Sequence, residues 1–215
     1  MQGITFLGFH SYQKWGLLLE SKEIGSPPVK EEEIEIPGGN GRLDATEAHG
    51  EVKYDNVKHK FTFLSLAPYN DHLPLFTAIK NAIHGKKGRI ILDGDPAFYY
   101  VGRCHVSSLT NDRGAGFVTV ECNCEPYKYK MERTVVTKAV NGMETIILTN
   151  GRKRAVPEVR IETESSLNIV YQNDFVWALG SGSFTLPELE LVEGENIVTV
   201  TGTGTITFEW QEGYL

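Results

Sequence analysis

The sequence predicts a mainly β protein, with an N-terminal β-sandwich-like domain that carries one α-helix and a C-terminal β-sandwich. Three observations support this prediction. Apolar and polar residues alternate in many short runs, which is typical of half-buried strands. Gly, Pro and Asn separate these runs and favour turns. One stretch, residues 70–85, instead repeats its apolar residues at helical spacing.

Residues 34–66 form the predicted centre of the first domain. Ile34 and Ile36 alternate with acidic residues, which predicts a short strand with one apolar face. Pro37 ends this strand because it has no N–H to donate to a neighbouring strand. The turn that follows permits positive φ and a sharp reversal of the chain. Its residues are Gly38, Gly39, Asn40 and Gly41.

Further strands are predicted on both sides of this centre. Residues 12–19 place Trp15, Leu17 and Leu19 on one face of an extended segment. Residues 52–54 and 61–65 alternate in two short runs and are predicted to be strands as well.

The Gly-rich turn before Arg42 does not match a phosphate-binding loop. Such loops lead into a helix whose N-terminus faces the phosphate, whereas residues 43–46 lead back into strands. We therefore expect residues 37–50 to form a structural or protein-contact loop.

The helix over residues 70–85 has recognisable ends. Asn70 or Asp71 can cap it, Pro74 suits its first turn, and Gly85 favours its termination. Four apolar residues form the stripe expected to face a sheet: Leu73, Phe76, Ile79 and Ile83. The basic residues that follow, Lys86, Lys87 and Arg89, suit a solvated loop, because cations are favoured at a helix C-terminus.

The rest of the first domain predicts three strands and two turns. Residues 90–92, 98–108 and 117–124 have strand patterns, and residues 111–116 predict the turn between the last two. Asp93 and Asp95 are turn formers, because the further oxygen ligands of a calcium loop are missing.

The three cysteines, Cys104, Cys122 and Cys124, lack the spacing of a redox or zinc motif. We expect buried thiols that pack as small hydrophobic side chains. A disulfide from Cys104 to Cys122 is the alternative, and a reducing cytosol disfavours it.

The second half of the chain has the pattern of a β-sandwich. Short alternating runs recur every 8–12 residues, and no helical pattern is visible among them. Asn141-Gly142 predicts a hairpin turn, and Gly202-Thr203-Gly204 predicts another chain reversal.

Charge and hydropathy exclude some functions. The net charge is −7; residues 1–130 carry 15 basic and 16 acidic side chains, and residues 131–215 carry 6 and 12. An acidic chain is poorly suited to grip nucleic acid. No run of about 18 apolar residues and no signal-like start are present, so we expect no membrane segment and no export.

No catalytic constellation stands out. The six histidines are scattered, and Glu188 and Glu190 lie too close along one segment for a glycosidase pair, whose carboxylates flank the substrate. Tyr171 and Trp177 can either stack on a sugar or fill the core of the second domain. We expect no enzyme activity, no cofactor and no metal site.

Several motifs resemble the distal tail protein family of siphophages. They are I-P-G-G-N-G-R-L-D at 36–44, L-D-G-D-P at 92–96, Y-V-G-R at 100–103, E-C-N-C-E-P-Y-K-Y-K at 121–130, and the ending at 191–210. The resemblance implies a ring-forming distal tail domain at 1–130 and a galectin-like β-sandwich domain at 131–215.

The resemblance also implies a function and partners. Six N-terminal domains would form a ring that joins the tail tube to the tip or baseplate of a phage or prophage tail, with DNA passing through its channel without specific binding. The partners implied are the tail tube protein, a tail-tip or tail-associated lysin protein, and a receptor-binding protein. The location implied is the virion tail tip, after assembly in the bacterial host cytoplasm.

Candidate ring contacts are Pro37, Gly38, Asn40, Arg42, Lys86, Lys87 and Arg89. One alternative is a carbohydrate-binding module for host-surface recognition, with Tyr171 and Trp177 as sugar contacts. The other alternative is a cell-wall hydrolase of the tail tip, which lacks an evident acid/base pair.

Overall fold

The computed structural model describes residues 2–48, 50–112, 114–172 and 174–215. His49, in the predicted loop 37–50, and Arg113, in the predicted turn 111–116, lie outside the described residues. The chain divides into two compact units. The first extends to Lys128 and also includes Leu215, and the second is Tyr129–Tyr214, whereas the sequence places a boundary after residue 130.

The first unit is built on one sheet, with strands in the order β2-β1-β7-β8-β9-β6-β3 from edge to edge. Its elements are β1 (Ile4–Phe6), β2 (Phe9–His10), α1 (Ser11–Trp15), β3 (Leu17–Ile24), β4 (Glu33–Glu35), β5 (Arg42–Asp44), β6 (Val57–Ser65), a 3₁₀ turn (Tyr69–Asp71), α2 (His72–Ile83), β7 (Lys87–Leu92), β8 (Phe98–Asp112) and β9 (Ala115–Lys130). The strands predicted at 61–65, 90–92, 98–108 and 117–124 are therefore confirmed.

The core of this unit shows how alternation builds the sheet. Every second residue of β6 is buried, including Phe61 and Phe63, because successive side chains point to opposite faces. Phe6 packs edge-to-face on both rings, with centroid distances of 5.8 and 6.0 Å. The strand predicted at 52–54 is wrong, since Tyr54 forms only an isolated bridge with Val29.

Helix α2 covers the sheet and confirms the predicted helix. Ile79 and Ile83 are fully buried and Phe76 packs against the same core. Leu73, expected on this stripe, is instead 68% exposed, and His72 takes the buried position beside it. After the helix, Gly85 adopts a φ of 74°, as a C-terminal glycine should. No helix among the residues that the structure describes is long and apolar enough to cross a membrane.

Residues 12–19 are not one strand, as predicted, because α1 occupies their first part. The Nδ1 atom of His10 accepts the Gln13 N–H at 3.2 Å and caps this one-turn helix. Gly16 ends it with a φ of 64° and donates its N–H to the Tyr12 carbonyl. The helix still buries Trp15, and Leu17 in β3 is buried next to it in sequence.

The two predicted turn formers, Asp93 and Asp95, stabilise the turn that follows β7. The carboxylate of Asp93 accepts hydrogen bonds from the Gly3 N–H at 2.7 Å and from the Nε2 atom of His10 at 3.0 Å. Burial opposes ionisation of Asp93, but these bonds outweigh it and lower its pKa. Asp95 pairs with Lys128 at 2.8 Å.

The three cysteines are buried and free, as predicted. The Sγ atoms of Cys104 and Cys122 lie 3.6 Å apart. The hydrogen bond to Cys104, together with burial, raises the pKa of Cys122, and burial raises the pKa of Cys124 to about 12. Because the thiolate is the reactive form, the raised pKa values of Cys122 and Cys124 favour the unreactive thiol, and all three side chains are buried in the core.

His59 is a buried histidine of the first unit. It is 1% exposed, its Nδ1 accepts the Gly25 N–H at 3.3 Å, and its Nε2 has no hydrogen-bond partner. Tyr100 packs edge-on against its ring at 4.6 Å. Burial lowers the pKa of His59, because the charged imidazolium would be desolvated.

This environment predicts that acid destabilises the protein through His59. The pKa of His59 is lower in the folded state than in the unfolded state. Its neutral form therefore contributes its whole stabilisation above the unfolded value of 6.5, and this contribution is lost as the pH falls from 6.5 to the folded pKa. One proton limits the slope to about 1.4 kcal/mol per pH unit. Urea unfolding between pH 5 and 8 should show a shallower pH dependence in His59→Gln. The exposed His105→Gln should keep the wild-type slope, and equal slopes in all three proteins would contradict the assignment.

The second unit contains one branched sheet, in the order β13-β12-β15-β11-β14 with β10 also paired to β15. Its elements are β10 (Thr134–Asn150), β11 (Glu158–Glu162), β12 (Leu167–Tyr171), β13 (Phe175–Leu179), β14 (Gly182–Thr185), β15 (Gly194–Trp210) and β16 (Gly213–Tyr214). Its core is one cluster that includes Val140, Leu148, Val159, Ile169, Val200, Phe208 and Trp210.

The two predicted reversals in this half are wrong. Gly142 and Gly202 lie inside β10 and β15, which pair without interruption over 17 residues each, and the two glycines face each other. Their φ values are 93° and 135°. β15 pairs with β12 up to Thr201 and with β11 from Thr205 onward. The glycines therefore lie where β15 changes its pairing partner from β12 to β11, and they do not form a hairpin turn.

Candidate assembly surfaces

The first part of the segment predicted as the centre of the first domain, residues 34–44, lies in an exposed hairpin. β4 and β5 form a two-stranded sheet of their own, in which Ile34 lies opposite Leu43. These side chains are 50% and 54% exposed, and every residue of both strands is exposed. The prediction of a core strand failed because alternation reports one apolar face and does not say what covers that face.

Local chemistry explains the shape of this hairpin. Gly38 and Gly41 adopt φ values of 76° and 78°, and the Gly39 N–H binds the Ile36 carbonyl at 3.0 Å. Arg42 pairs with Glu33 across the strands at 2.8 Å. The candidate contacts Pro37, Gly38 and Asn40 thus lie at the tip, and Arg42 begins β5.

An acidic depression lies at the base of the hairpin. It measures about 440 Å³, and its lining includes Glu31, Glu33, Asp44 and Glu47 beside Tyr54. Hydrogen bonds from the hydroxyl of Thr46 and, to a smaller extent, from its backbone N–H lower the pKa of Asp44 and favour its charged form. Residues 30–53 contain seven acidic and three basic side chains, so this segment is strongly negative.

The second set of candidate contacts lies on β7 and the turn before it. Lys86 donates to the carbonyls of Asn81 and Ala82, both at 2.9 Å, and so caps the end of α2. Lys87 and Arg89 are exposed on one face of β7, and Arg103 lies directly opposite Lys87 on β8. Strand pairing places Lys87 beside Arg103, and the surface remains positive although Glu125 pairs with Lys87.

The two charged surfaces lie on different parts of the sheet. The hairpin is inserted between β3 and β6, at one edge of the strand order. β7 is four strand positions from β3 in the strand order. One subunit therefore presents a negative and a positive surface on different elements of the first unit.

An apolar patch that the sequence analysis missed lies near the start of α2. Leu66, Tyr69 and Leu73 are 55%, 61% and 68% exposed. Leu73 has the helical spacing of the predicted stripe, but His72 takes the buried position, so the spacing offered no clue that Leu73 is exposed. Such a patch is a candidate protein contact.

The two candidate sugar contacts differ in burial. Tyr171 is 2% exposed, and its hydroxyl donates to the Glu190 carbonyl at 2.8 Å and contacts the Asn196 Oδ1 at 3.0 Å. Its ring belongs to the core and offers no face for stacking. Trp177 packs against the same core and stacks on Phe175, with a centroid distance of 6.0 Å.

The described residues contain no group of three or more His, Cys, Asp or Glu side chains placed to hold a metal ion. Of the two glutamates considered as a catalytic pair, Glu190 forms an ion pair with Arg154 at 2.8 Å and Glu188 is exposed.

Of the comparisons with known proteins, the one with solved structures gives a match. No family model and no curated protein matches the chain. Among solved structures, the chain is similar to SPP1 Dit (gp 19.1), titled a paradigm of the hub adsorption apparatus in phages that infect Gram-positive bacteria. The TM-score is 0.75 at 14% sequence identity, and the match covers 100% of both chains. The predicted mainly β architecture is therefore confirmed, and the chain has the fold of a siphophage distal tail hub protein.

Proposed function

We propose that this chain is a structural component of a phage or prophage tail tip, a distal tail hub in which six copies close into a ring. The observation that carries the proposal is the match in fold to SPP1 Dit over the whole of both chains. Whole-chain agreement matters because a match to a single β-sandwich would suit many unrelated functions.

In this proposal the first unit builds the ring between the tail tube and the tip or baseplate, and DNA passes through the central channel. A ring needs contact surfaces on two flanks of each subunit, and the exposed hairpin and the basic face of β7 are two such surfaces. The near-balanced charge of residues 1–130 supports DNA passage, because phosphates would not be held tightly.

The second unit, as a galectin-like β-sandwich, docks the tail-associated lysin or another tip protein and a receptor-binding protein. The hub is located at the virion tail tip and assembles in the host cytoplasm, where its three free cysteines stay reduced. No catalytic step is assigned to the chain.

Mass photometry of the purified full chain, alone and with the tail tube protein, tests this function. We expect a species of six subunits in at least one of the two samples. A stable dimer that persists when the tube protein is added would contradict the proposal.

A further inference from the structure

We infer that neighbouring copies join through opposite charges, with the acidic hairpin segment of one copy lying against the basic face of β7 on the next. The occupant of the hairpin surface is thus a second copy of this chain. The inference rests on the proposed ring and names the two surfaces that meet in it.

The first argument is that, among the described residues, the strands β4 and β5 pair only with each other. A two-stranded hairpin is marginally stable in water, because it has too little apolar surface to bury. Here Ile34 and Leu43 face each other and both remain at least half exposed. A covering surface supplied by another copy would bury this pair.

The second argument is charge complementarity within a unit that is nearly neutral overall. The hairpin segment carries an excess of four negative charges, whereas Lys86, Lys87, Arg89 and Arg103 gather on and beside β7. Opposite potentials on two surfaces favour contact between them and disfavour contact of either surface with itself. Two copies should therefore approach each other with the hairpin of one copy facing β7 of the other.

The third argument is the position of the two surfaces. A contact between two different patches is heterologous, and it closes into a ring when successive copies are related by a rotation that returns to the start. The hairpin leaves the sheet between β3 and β6, at one edge of the strand order, and the basic face belongs to β7, four strand positions further along. Each copy can therefore engage one neighbour through its hairpin and another through β7.

Charge reversal on each surface separately tests the inference. The hairpin variant is Glu31→Lys with Glu35→Lys and Glu47→Lys, which makes both surfaces positive. The β7 variant is Lys87→Glu with Arg89→Glu and Arg103→Glu, which makes both surfaces negative. We expect either variant by itself to need at least tenfold more protein than the wild type to assemble, because every contact in its ring is repulsive.

An equal mixture of the two variants should restore assembly. When the two variants alternate around the ring, every contact is again between opposite charges. Six is an even number, so the alternation can close. Native mass spectrometry should show three copies of each variant in one particle. Glu164→Lys with Glu188→Lys and Glu195→Lys, on exposed positions of the second unit, is the matched control and should assemble like the wild type.

The outcomes separate this inference from the proposed function. Melting temperatures near the wild-type value establish that the variants are folded. If the wild type forms rings but the reversal variants assemble equally well, or their mixture fails to assemble, the charge contact is overturned. The proposed ring itself is not contradicted by either result. A wild type that stays monomeric at the highest soluble concentration in low salt, with or without the tube protein, overturns both.

Discussion

Gly202→Ala should lower the free energy of unfolding by about 3 kcal/mol. The added Cβ would lie 2.8 Å from Leu167 Cδ2 and 2.9 Å from the Ser166 carbonyl oxygen, both closer than real Cβ contacts. The φ of 135° adds backbone strain that side chains other than glycine's rarely tolerate. Strain and overpacking each cost about 1–3 kcal/mol. Urea unfolding of the full chain measures the effect.

Two other glycines separate the causes. Gly142→Ala meets no atom within 4 Å but keeps a φ of 93°, so it should show the strain alone, about 1–2 kcal/mol. Gly180→Ala meets only the Ser165 carbonyl oxygen at 3.6 Å and should be nearly neutral. If Gly142→Ala and Gly202→Ala lowered the free energy of unfolding equally, crowding around Gly202 would be unimportant.

Ile34→Ser combined with Leu43→Ser should weaken ring assembly strongly while leaving the folded subunit stable. Both side chains are about half exposed in the single chain, so a covering neighbour would bury the remaining half of each. That burial is worth about 1 kcal/mol per side chain. We therefore expect roughly a 30-fold loss of affinity at each contact between subunits. Sedimentation velocity across a concentration series measures the shift.

The second unit offers a matched control for this variant. Ile147 and Ile197 also face each other across two strands and are 51% and 58% exposed. Ile147→Ser with Ile197→Ser should leave ring assembly unchanged, because the proposed ring contacts lie in the first unit. If the control weakened assembly as much as the hairpin variant, the hairpin would have no special role.

The sequence predicted the buried elements well because burial leaves a periodic pattern. The stripe through Ile79 and Ile83 identified α2, and the alternation in β6 identified the strand around Phe61. The same logic failed for the hairpin, where Ile34 and Ile36 alternate as in a core strand but remain about half exposed. In the proposed ring another copy covers this surface, and a surface covered in that way has the same apolar pattern as a core surface.

Turn chemistry was the second source of error. Asn141-Gly142 favours a two-residue hairpin by local preference. In the folded chain the positive φ of Gly142 instead serves a site opposite Gly202, 60 residues further along the sequence. The α1 helix was missed for the opposite reason, because one turn is too short to show a period. Its capping residues, His10 and Gly16, were the available indication.

Electron microscopy of the full-length protein, bound to the tail tube protein if it does not assemble by itself, tests the ring most directly. We predict six-fold particles with an open central channel, in which the β4–β5 hairpin of every subunit is covered by the next subunit. Particles without cyclic symmetry, or a closed ring whose hairpins all extend into solvent, would contradict the account.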